Sequence, residues 1–571
     1  MISSIKPAAL SGWQLAALGA VAALAVGAGV VVGSFLLSSR VALGAAAEYV
    51  PAGTPFYIEV RVEPSAEQDS ALREFLGHFP AVEGLDLDRP IAEQMAEHLD
   101  EMLATEGAEL SWAADVEPWF DGRLAIAITD VAVDMADPTA TPPVVAFLGV
   151  TDRDEAAAAV ERVTTSSGMP SFAETTHAGV TVHVGSGGEP GAFALTDDQL
   201  IIGTAETAVT AAIDAHGNRS ETLAARSDLS ELTDSLPADW LAFATWDMRG
   251  LVTEAFEAAS EADPQATAAI EALFEHQSLR GAAAISASGD RIAIDTAAEA
   301  PTGPFAVENG DRGLAEEVPA GALYYSEAVD LGEAMGGIIG PIKEAAAEDP
   351  AVEEQIRMAE AALGGDLEEL LAWIGDAALV AGVIDDGPPY AGLVIAPDDM
   401  DDAERRVGQL TSFAGLAALD PSIGLSVSEA EIEGTTVTTI RWDGAAGMGV
   451  PELPVEAGEL VVQLALTDDR VLIGVGDAFI DTALGLQESA SLASDARFSG
   501  AVAELGGASN AGVTWVDVAG VVDLAGGLIG SMMPMAGEDD PLAWLDPIDA
   551  LVVVNRIEGD LLVSRGALLV E

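Results

Sequence analysis

The chain carries the same pattern twice, and that constrains its fold more than any other feature. Val50-Pro-Ala-Gly-Thr-Pro-Phe-Tyr-Ile-Glu-Val60 returns as Val318-Pro-Ala-Gly-Ala-Leu-Tyr-Tyr-Ser-Glu-Ala328, an offset of 268. Ala194-Leu-Thr-Asp-Asp-Gln-Leu-Ile-Ile-Gly203 returns as Ala465-Leu-Thr-Asp-Asp-Arg-Val-Leu-Ile-Gly474, an offset of 271, and Gly289-Asp290 returns as Gly559-Asp560. Between these anchors the register drifts: Trp119 matches Trp373, Asp154-Glu155-Ala156 matches Asp401-Asp402-Ala403, and Gly179 matches Gly434. A Gly- and Pro-rich insertion around Ala445 to Leu460 restores it. Self-similarity at long spacing marks a repeated folding unit, and insertions confined to loops leave the core shared. Two tandem units are therefore expected, 48–300 and 318–571, with a linker at 301–317.

Within one unit the periodicity predicts α+β architecture. Phe56, Ile58 and Val60 alternate with Tyr57, Glu59 and Arg61, the period of a half-buried strand. Leu124 to Ile128 and Val144 to Val150 are apolar enough for central strands, joined by a loop carrying Pro138, Pro142 and Pro143. Ala156, Val160 and Val163 share a helix face, as do Ala403, Val407 and Leu410 in the second unit. Val180, Val182 and Val184 alternate with polar residues, and Phe193 to Leu195 turns through Thr-Asp-Asp into Leu200 to Ile202. These are hairpins, so the sheets are antiparallel, with helices covering them. A Trp-containing strand follows in each unit, Leu241 to Trp246 and Gly512 to Trp515, and Leu568 to Val570 seals the carboxyl terminus into a sheet.

Residues 7–39 contain no charge, and Trp13 to Leu37 is almost wholly apolar. About 20 such residues span the hydrocarbon core of a bilayer. This predicts a tail at 1–12, one transmembrane helix at 13–37 and a linker at 38–47. The stretch exceeds the roughly 7–15 apolar residues of a secretory signal, which favours an uncleaved anchor, although Gly44 to Ala47 are small enough for a peptidase. The short amino-terminal flank places the large carboxyl-terminal part outside the cytoplasm, in the cell envelope, with the bilayer as one partner. Leu331 to Ile342 and Val518 to Ala536 are interrupted by Glu333 and Asp523, and buried helices explain them better than further spans.

Ninety-five Asp and Glu face 23 Lys and Arg, a formal charge of −72, and the only lysines are Lys6 and Lys343. Nucleic-acid binding needs clustered bases, which excludes that class. Half the residues are apolar, unlike a disordered acidic tail. Calcium binding, a cationic partner and solvation in concentrated salt compete to explain the acidity. Salt solvation accounts best for chain-wide lysine depletion, because near 1 M salt the Debye length is about 3 Å and carboxylate repulsion is screened. A high-salt source is the expectation.

No constellation for chemistry stands out. Cysteine is absent, which removes thiolate metal sites, thiol nucleophiles and disulfides. There is no Gly-x-Ser-x-Gly, and the six histidines form no His-x-His or His-Glu-x-x-His. His177 and His183 flank a turn at Gly179, where edge-strand histidines are the plainer account than a metal pair. Gly185-Ser-Gly-Gly188 and Gly474-Val-Gly476 lack the remaining glycine and the lysine of a phosphate loop. Thr196-Asp-Asp198 and Thr467-Asp-Asp469 suit turns better than calcium. Met532-Met-Pro-Met535 has no His or Cys beside it to make a copper site. No metal or cofactor is expected. The duplication itself singles out Tyr57-x-Glu59 and Tyr325-x-Glu327. Residues two apart share a strand face, so each unit could offer Tyr57 with Glu59, or Tyr325 with Glu327, to a ligand. The alternatives are a solvated strand face or a tyrosine hydroxyl tied to a local partner.

The apolar anchor, Tyr49-Val-Pro-Ala-Gly-Thr-Pro55 followed by Tyr57-Ile-Glu-Val60, His78-Phe-Pro80 and Val116-Glu-Pro-Trp-Phe120 together resemble bacterial proteins grouped as domain of unknown function 3352. That resemblance covers most of the chain beyond the anchor and implies no activity, cofactor or catalytic residue. The leading expectation is a non-enzymatic, membrane-tethered extracytoplasmic module that binds an envelope protein or ligand. Next comes a carrier of a lipid or other apolar ligand, with the two Gly-rich helices lining its cavity. The third is an enzyme in which Glu59 and Glu327 converge for acid and base work.

Overall fold

The computed structural model describes residues 43–79, 85–105, 111–129, 143–165, 171–186, 191–260, 274, 276–346, 350–363, 365–383, 389–442, 460–532 and 544–571. The expected transmembrane helix 13–37, the proline loop, the Gly185–Gly188 segment beyond Ser186, most of the Ala445–Leu460 insertion and Met533 to Met535 lie outside them. No helix among the described residues is long and apolar enough to cross a membrane. The chain divides into two compact units. The first comprises Met1–Ala258, Leu279–Glu299 and Gly566–Glu571, and the second Ala259–Ser278 and Ala300–Arg565.

The fold is mixed α+β built on antiparallel sheet. The first unit contains β1 (Phe56–Arg61), β2 (Phe120–Ile128), β3 (Val144–Val150), β4 (Phe172–His177), β5 (Val180–Gly185), β6 (Ala192–Leu195), β7 (Gln199–Gly203), β8 (Ala242–Asp247), β9 (Arg280–Ser288) and β10 (Arg291–Glu299). Nine of these lie in the order β4-β5-β6-β7-β3-β2-β1-β8-β9. Strand β10 follows β9 through a turn at Gly289 (φ 45°).

The second unit begins with β11 (Gly310–Asp311), then β12 (Ala322–Ala328), β13 (Asp376–Val383), β14 (Pro389–Ala396), β15 (Leu425–Ile432), β16 (Thr435–Trp442), β17 (Leu460–Leu466) and β18 (Val471–Val475). It ends with β19 (Ser509–Asn510), β20 (Gly512–Asp517), β21 (Ile548–Glu558) and the part of β22 (Leu561–Val570) up to Arg565. Its main sheet runs β15-β16-β17-β18-β14-β13-β12-β20-β21-β22, and β11 pairs separately with β19. From β15 to β21, nine strands stand in the same order as the nine of the first unit.

The hairpin β4–β5 turns through Ala178 (φ 49°) and Gly179 (φ 87°), and β15–β16 through Glu433 (φ 49°) and Gly434 (φ 86°). Two successive positive φ values define the tight turn whose twist suits antiparallel strands. That is why glycine stands at both positions. The two Thr-Asp-Asp segments are turns as well: Gln199 N–H donates to Thr196 Oγ1 at 3.0 Å, and Arg470 N–H to Thr467 Oγ1 at 3.0 Å.

Helices bury one face of each sheet. In the first unit Ala156 and Ala159, from the helix Arg153–Thr165, meet Trp112, Trp119, Leu124 and Phe193. In the second unit Ala403 and Val407, from the helix Met400–Ala417, meet Trp373, Ile395 and Leu464. Leu410 departs from expectation. It is 42% exposed, because the core cluster that receives Ala403 and Val407 does not extend to it. The Gly-rich helices are Leu331–Ala346 and Val518–Met532. Their described residues are mostly half-buried and Val521 is exposed, so they pack on one side only and are not the enclosed helices expected.

Both expected linkers contain packed structure. Ala46 and Ala47 are buried in the turn Ala45–Glu48, and Leu314 and Ala315 in the turn Leu314–Glu317. Two ion networks tie a helix start to the end of the Trp-containing strand. In the first unit Arg226 reaches Asp228 at 2.7 Å and Asp247 at 3.0 Å. In the second, Arg497 reaches Asp495 at 3.8 Å, Asp517 at 3.3 Å and Asp549 at 2.5 Å. Position for position from the matched turns Leu223–Ala225 and Leu492–Ser494, Arg226 corresponds in sequence to Asp495 and Asp228 to Arg497. The signs are exchanged.

Candidate functional site

The Tyr-x-Glu motifs sit on β1 and β12, each flanked by strands on both sides. Tyr57 lies opposite Ala127 of β2 and Thr245 of β8, and Glu59 opposite Ala125 and Phe243. The face that alternation marks as polar is the more deeply buried one: Tyr57 is 1% and Glu59 0% exposed, while Phe56 and Ile58 are half-buried. The reason lies upstream. Gly44 N–H donates to Glu59 Oε2 at 2.9 Å, and the Tyr57 hydroxyl donates to the same oxygen at 2.7 Å. Glu59 Oε1 faces Arg123 Nη1 at 3.5 Å. The solvated-face reading is thus corrected, and the hydroxyl tied to a local partner is what the structure has.

The second unit repeats this chemistry with a different lid. The Tyr325 hydroxyl donates to Glu327 Oε2 at 2.5 Å, and both residues are buried. The Tyr325 ring packs edge-on against Phe498. Burial raises the Glu59 carboxyl above the usual range, opposed by the Gly44 N–H, the Tyr57 hydroxyl and Arg123. Burial likewise raises Glu327, opposed by Tyr325 and Arg312. Both phenols are pushed well above their ordinary value by burial and then by the adjacent carboxylate. In each unit the tyrosine hydroxyl and the glutamate Oε2 satisfy one another, whereas Glu59 Oε1 and Glu327 Oε1 are buried without a hydrogen-bond partner among the described residues.

Gly44 leaves no room for a side chain. A Cβ there would stand 2.4 Å from Glu59 Oε1, and the carboxylate could yield only by leaving its donors. Gly44→Ala is expected to cost about 1–3 kcal/mol, measured as a lowered unfolding midpoint. Gly53→Ala, where nothing lies within 4 Å, serves as the control. Equal midpoints for the two variants would show that the entry segment is not held on Glu59.

Open space in the first unit lies elsewhere. A groove of about 1180 Å³ runs between the helix Arg153–Thr165, the hairpin β4–β5, the turn at Thr196–Asp198 and the helix Glu206–Gly217. Its apolar wall is Val160, Phe172, Val180, Phe193 and Leu195. Phe172 meets Phe193 edge-on at 5.0 Å, and His183 stacks flat on Phe193 at 4.5 Å. The opposite end is polar. Tyr49 stacks on His216 at 4.0 Å and donates to Asp198 and to Thr196 Oγ1. Burial, then Asp198, raises that phenol. Arg153 lies 3.4 Å from Asp197 and Arg219 3.6 Å from Glu48. Arg153 and Arg219 stand against Glu161, Glu174, Asp197 and Asp198, with His183 and His216 beside them, so the groove has one base for two acids in a chain with roughly four acids per base.

Sequence patterns did not reveal this groove, because its parts are adjacent only through strand order. The two Gly-rich helices expected to line a cavity do not line it. His177 and His183 diverge: His177 Nε2 contacts Asp214 at 2.7 Å, while His183 lies opposite Glu174 on the hairpin. Among the described residues no three of His, Asp and Glu gather as a metal-holding group.

Among solved structures, crystal form I of TP0453 is 10% identical, covers 45% of this chain and 79% of its own, and has a TM-score of 0.23. Crystal form III is 8% identical, with 46% and 80% coverage and a TM-score of 0.22. Scores of this size lie below those of a shared fold, and nothing here rests on them. No curated protein matches the chain. The sequence opening, the Val-Glu-Pro-Trp-Phe segment and the antiparallel framework around them fall within one family model, described as a protein of unknown function, which matches residues 15–553. The chain belongs to this family, DUF3352.

Proposed function

We propose that the protein is a non-enzymatic binding module of the cell envelope, tethered by the segment 13–37 with its large part outside the cytoplasm, in an organism of high internal or external salt. Its body is one unit copied in tandem, a reading supported by the strand order shared by nine strands and by the paired turns at Gly179 and Gly434. Glu59 and Glu327 are structural rather than catalytic: each is buried and accepts the hydroxyl of its own tyrosine.

The groove of the first unit carries the binding assignment. It joins an apolar wall to a polar end holding two arginines and two histidines, the layout of ligand sites in which apolar surface supplies affinity and a few polar groups set orientation. Native mass spectrometry of the full chain extracted from membranes tests this. A ligand retained by the wild-type protein and lost from Val160→Glu, which puts a carboxylate into the apolar wall, is the expected result. A ligand-free wild type, or equal retention by both, would remove the assignment. The apolar wall also favours a second reading, a lipid carrier, and a co-purified lipid in the same spectra would select it.

A further inference from the structure

The two units differ most where the helix after β3 or β14 leads into the next hairpin. The spacing of matched residues grows from 247 at Asp154/Asp401 to 255 at Gly179/Gly434, so the second unit has eight more residues there. The helix Met400–Ala417 has 18 residues against 13 in Arg153–Thr165. In the first unit the chain continues through polar and turn-forming residues, Thr164-Thr-Ser-Ser-Gly-Met-Pro170. In the second, no charge occurs from Val407 to Leu419, in a chain where 21% of residues are charged.

That added segment is exposed. Leu410, Phe413 and Ile423 are 41–48% exposed, Leu416 67% and Leu419 77%. Within 14 residues this concentrates five large apolar side chains that the core does not use, and clustered exposed apolar side chains mark interaction sites. Trp442 stands at the base of the segment, its indole N–H donating to Ile423 O at 2.8 Å.

We propose that the overhanging helix end, Phe413 to Ile423, inserts into the headgroup–acyl boundary of a lipid bilayer. This rests on the reading that the chain is membrane-tethered. Three observations favour a bilayer over a protein partner. The tip is built on Leu416 and Leu419, and leucine is under-represented in protein hot spots. Its apolar face, Phe413, Leu416 and Leu419, is uninterrupted by charge up to Asp420, as is the face that an interfacial helix buries, and Trp442 is the amphipathic ring that settles at headgroup level. Tethering by 13–37 also keeps a bilayer at high effective concentration around the protein, and molar salt screens repulsion between an acidic body and anionic headgroups.

The absence of cysteine makes a single introduced thiol unique. Full-length Leu419→Cys, carrying an environment-sensitive nitrobenzoxadiazole, is reconstituted into phosphatidylcholine vesicles in molar salt and recovered by flotation. Glu404→Cys, exposed on the same helix, is the control. Expected is blue-shifted emission at 419 that doxyl-labelled lipids quench, with neither effect at 404. Flotation with a 419 probe as wet as the 404 probe overturns the insertion alone. A blue shift that doxyl lipids do not quench assigns the tip to a second copy or another protein, and also overturns it. Loss of flotation removes the tether, and the proposal with it.

Discussion

Withdrawing salt is expected to loosen or unfold this protein, with the unfolding midpoint rising by about 10 °C or more from dilute buffer to molar salt. For units of this size that is roughly 3 kcal/mol. Two effects of salt oppose each other. Salt weakens ion pairs, of which the structure has many: Lys343 alone serves Glu360, Asp366 and Glu368. Exposed pairs contribute only about 0–1 kcal/mol each, however, and the 23 bases leave an excess of 72 negative charges. Their mutual repulsion grows on compaction and is screened at about 3 Å in 1 M salt, so screening of repulsion wins. Circular dichroism during a chloride titration decides it. Full folding and unchanged melting near zero salt would remove the halophilic reading.

The second large effect is expected at Glu59. Glu59→Ala strands the Gly44 N–H and the Tyr57 hydroxyl without their acceptor, in a site sealed from water, and is expected to cost about 3–5 kcal/mol. Glu59→Gln keeps an acceptor oxygen and removes the charge. Burial raises the folded-state carboxyl above its ordinary value of 4.5. The folded state therefore holds the proton more firmly than the unfolded chain does. The stability linked to that proton is fully present below the ordinary value and is lost as pH rises through the raised folded value. Glu59→Gln escapes this loss, so its midpoint should gain on the wild type as pH rises above about 4.5. A gap between the two that stays constant with pH would show that Glu59 is charged as readily in the fold as out of it.

Most strands were legible because their chemistry is local. The alternation in Val180–Val184, the apolar run Val144–Val150 and the Thr-Asp-Asp turns depend only on neighbours within a few residues. What could not be read was which face of β1 lies inside. Tyr57 and Glu59 look like the wet side of a strand, and only Gly44, 15 positions upstream, makes that side dry. Leu410 failed for the converse reason: its helical phase matches Ala403 and Val407, but phase does not say where the opposing core stops. The groove depends on β5, β6 and β7 lying beside β3, and antiparallel periodicity is the same for any strand order. The exchanged ion pairs were within reach, since Asp247 and Asp517 end the matched Trp strands at an offset of 270. Repeat searching looks for identity, and reversed signs do not register as identity.

That reversal bears on how the two halves came to differ. If both descend from one ancestor, neither position of the Arg226/Asp228 or Asp495/Arg497 couple could change sign alone without setting two like charges side by side at the helix start. The route from one arrangement to the other therefore passed through a frustrated intermediate or through paired replacement. Grafting either residue singly between the halves today should meet the same barrier.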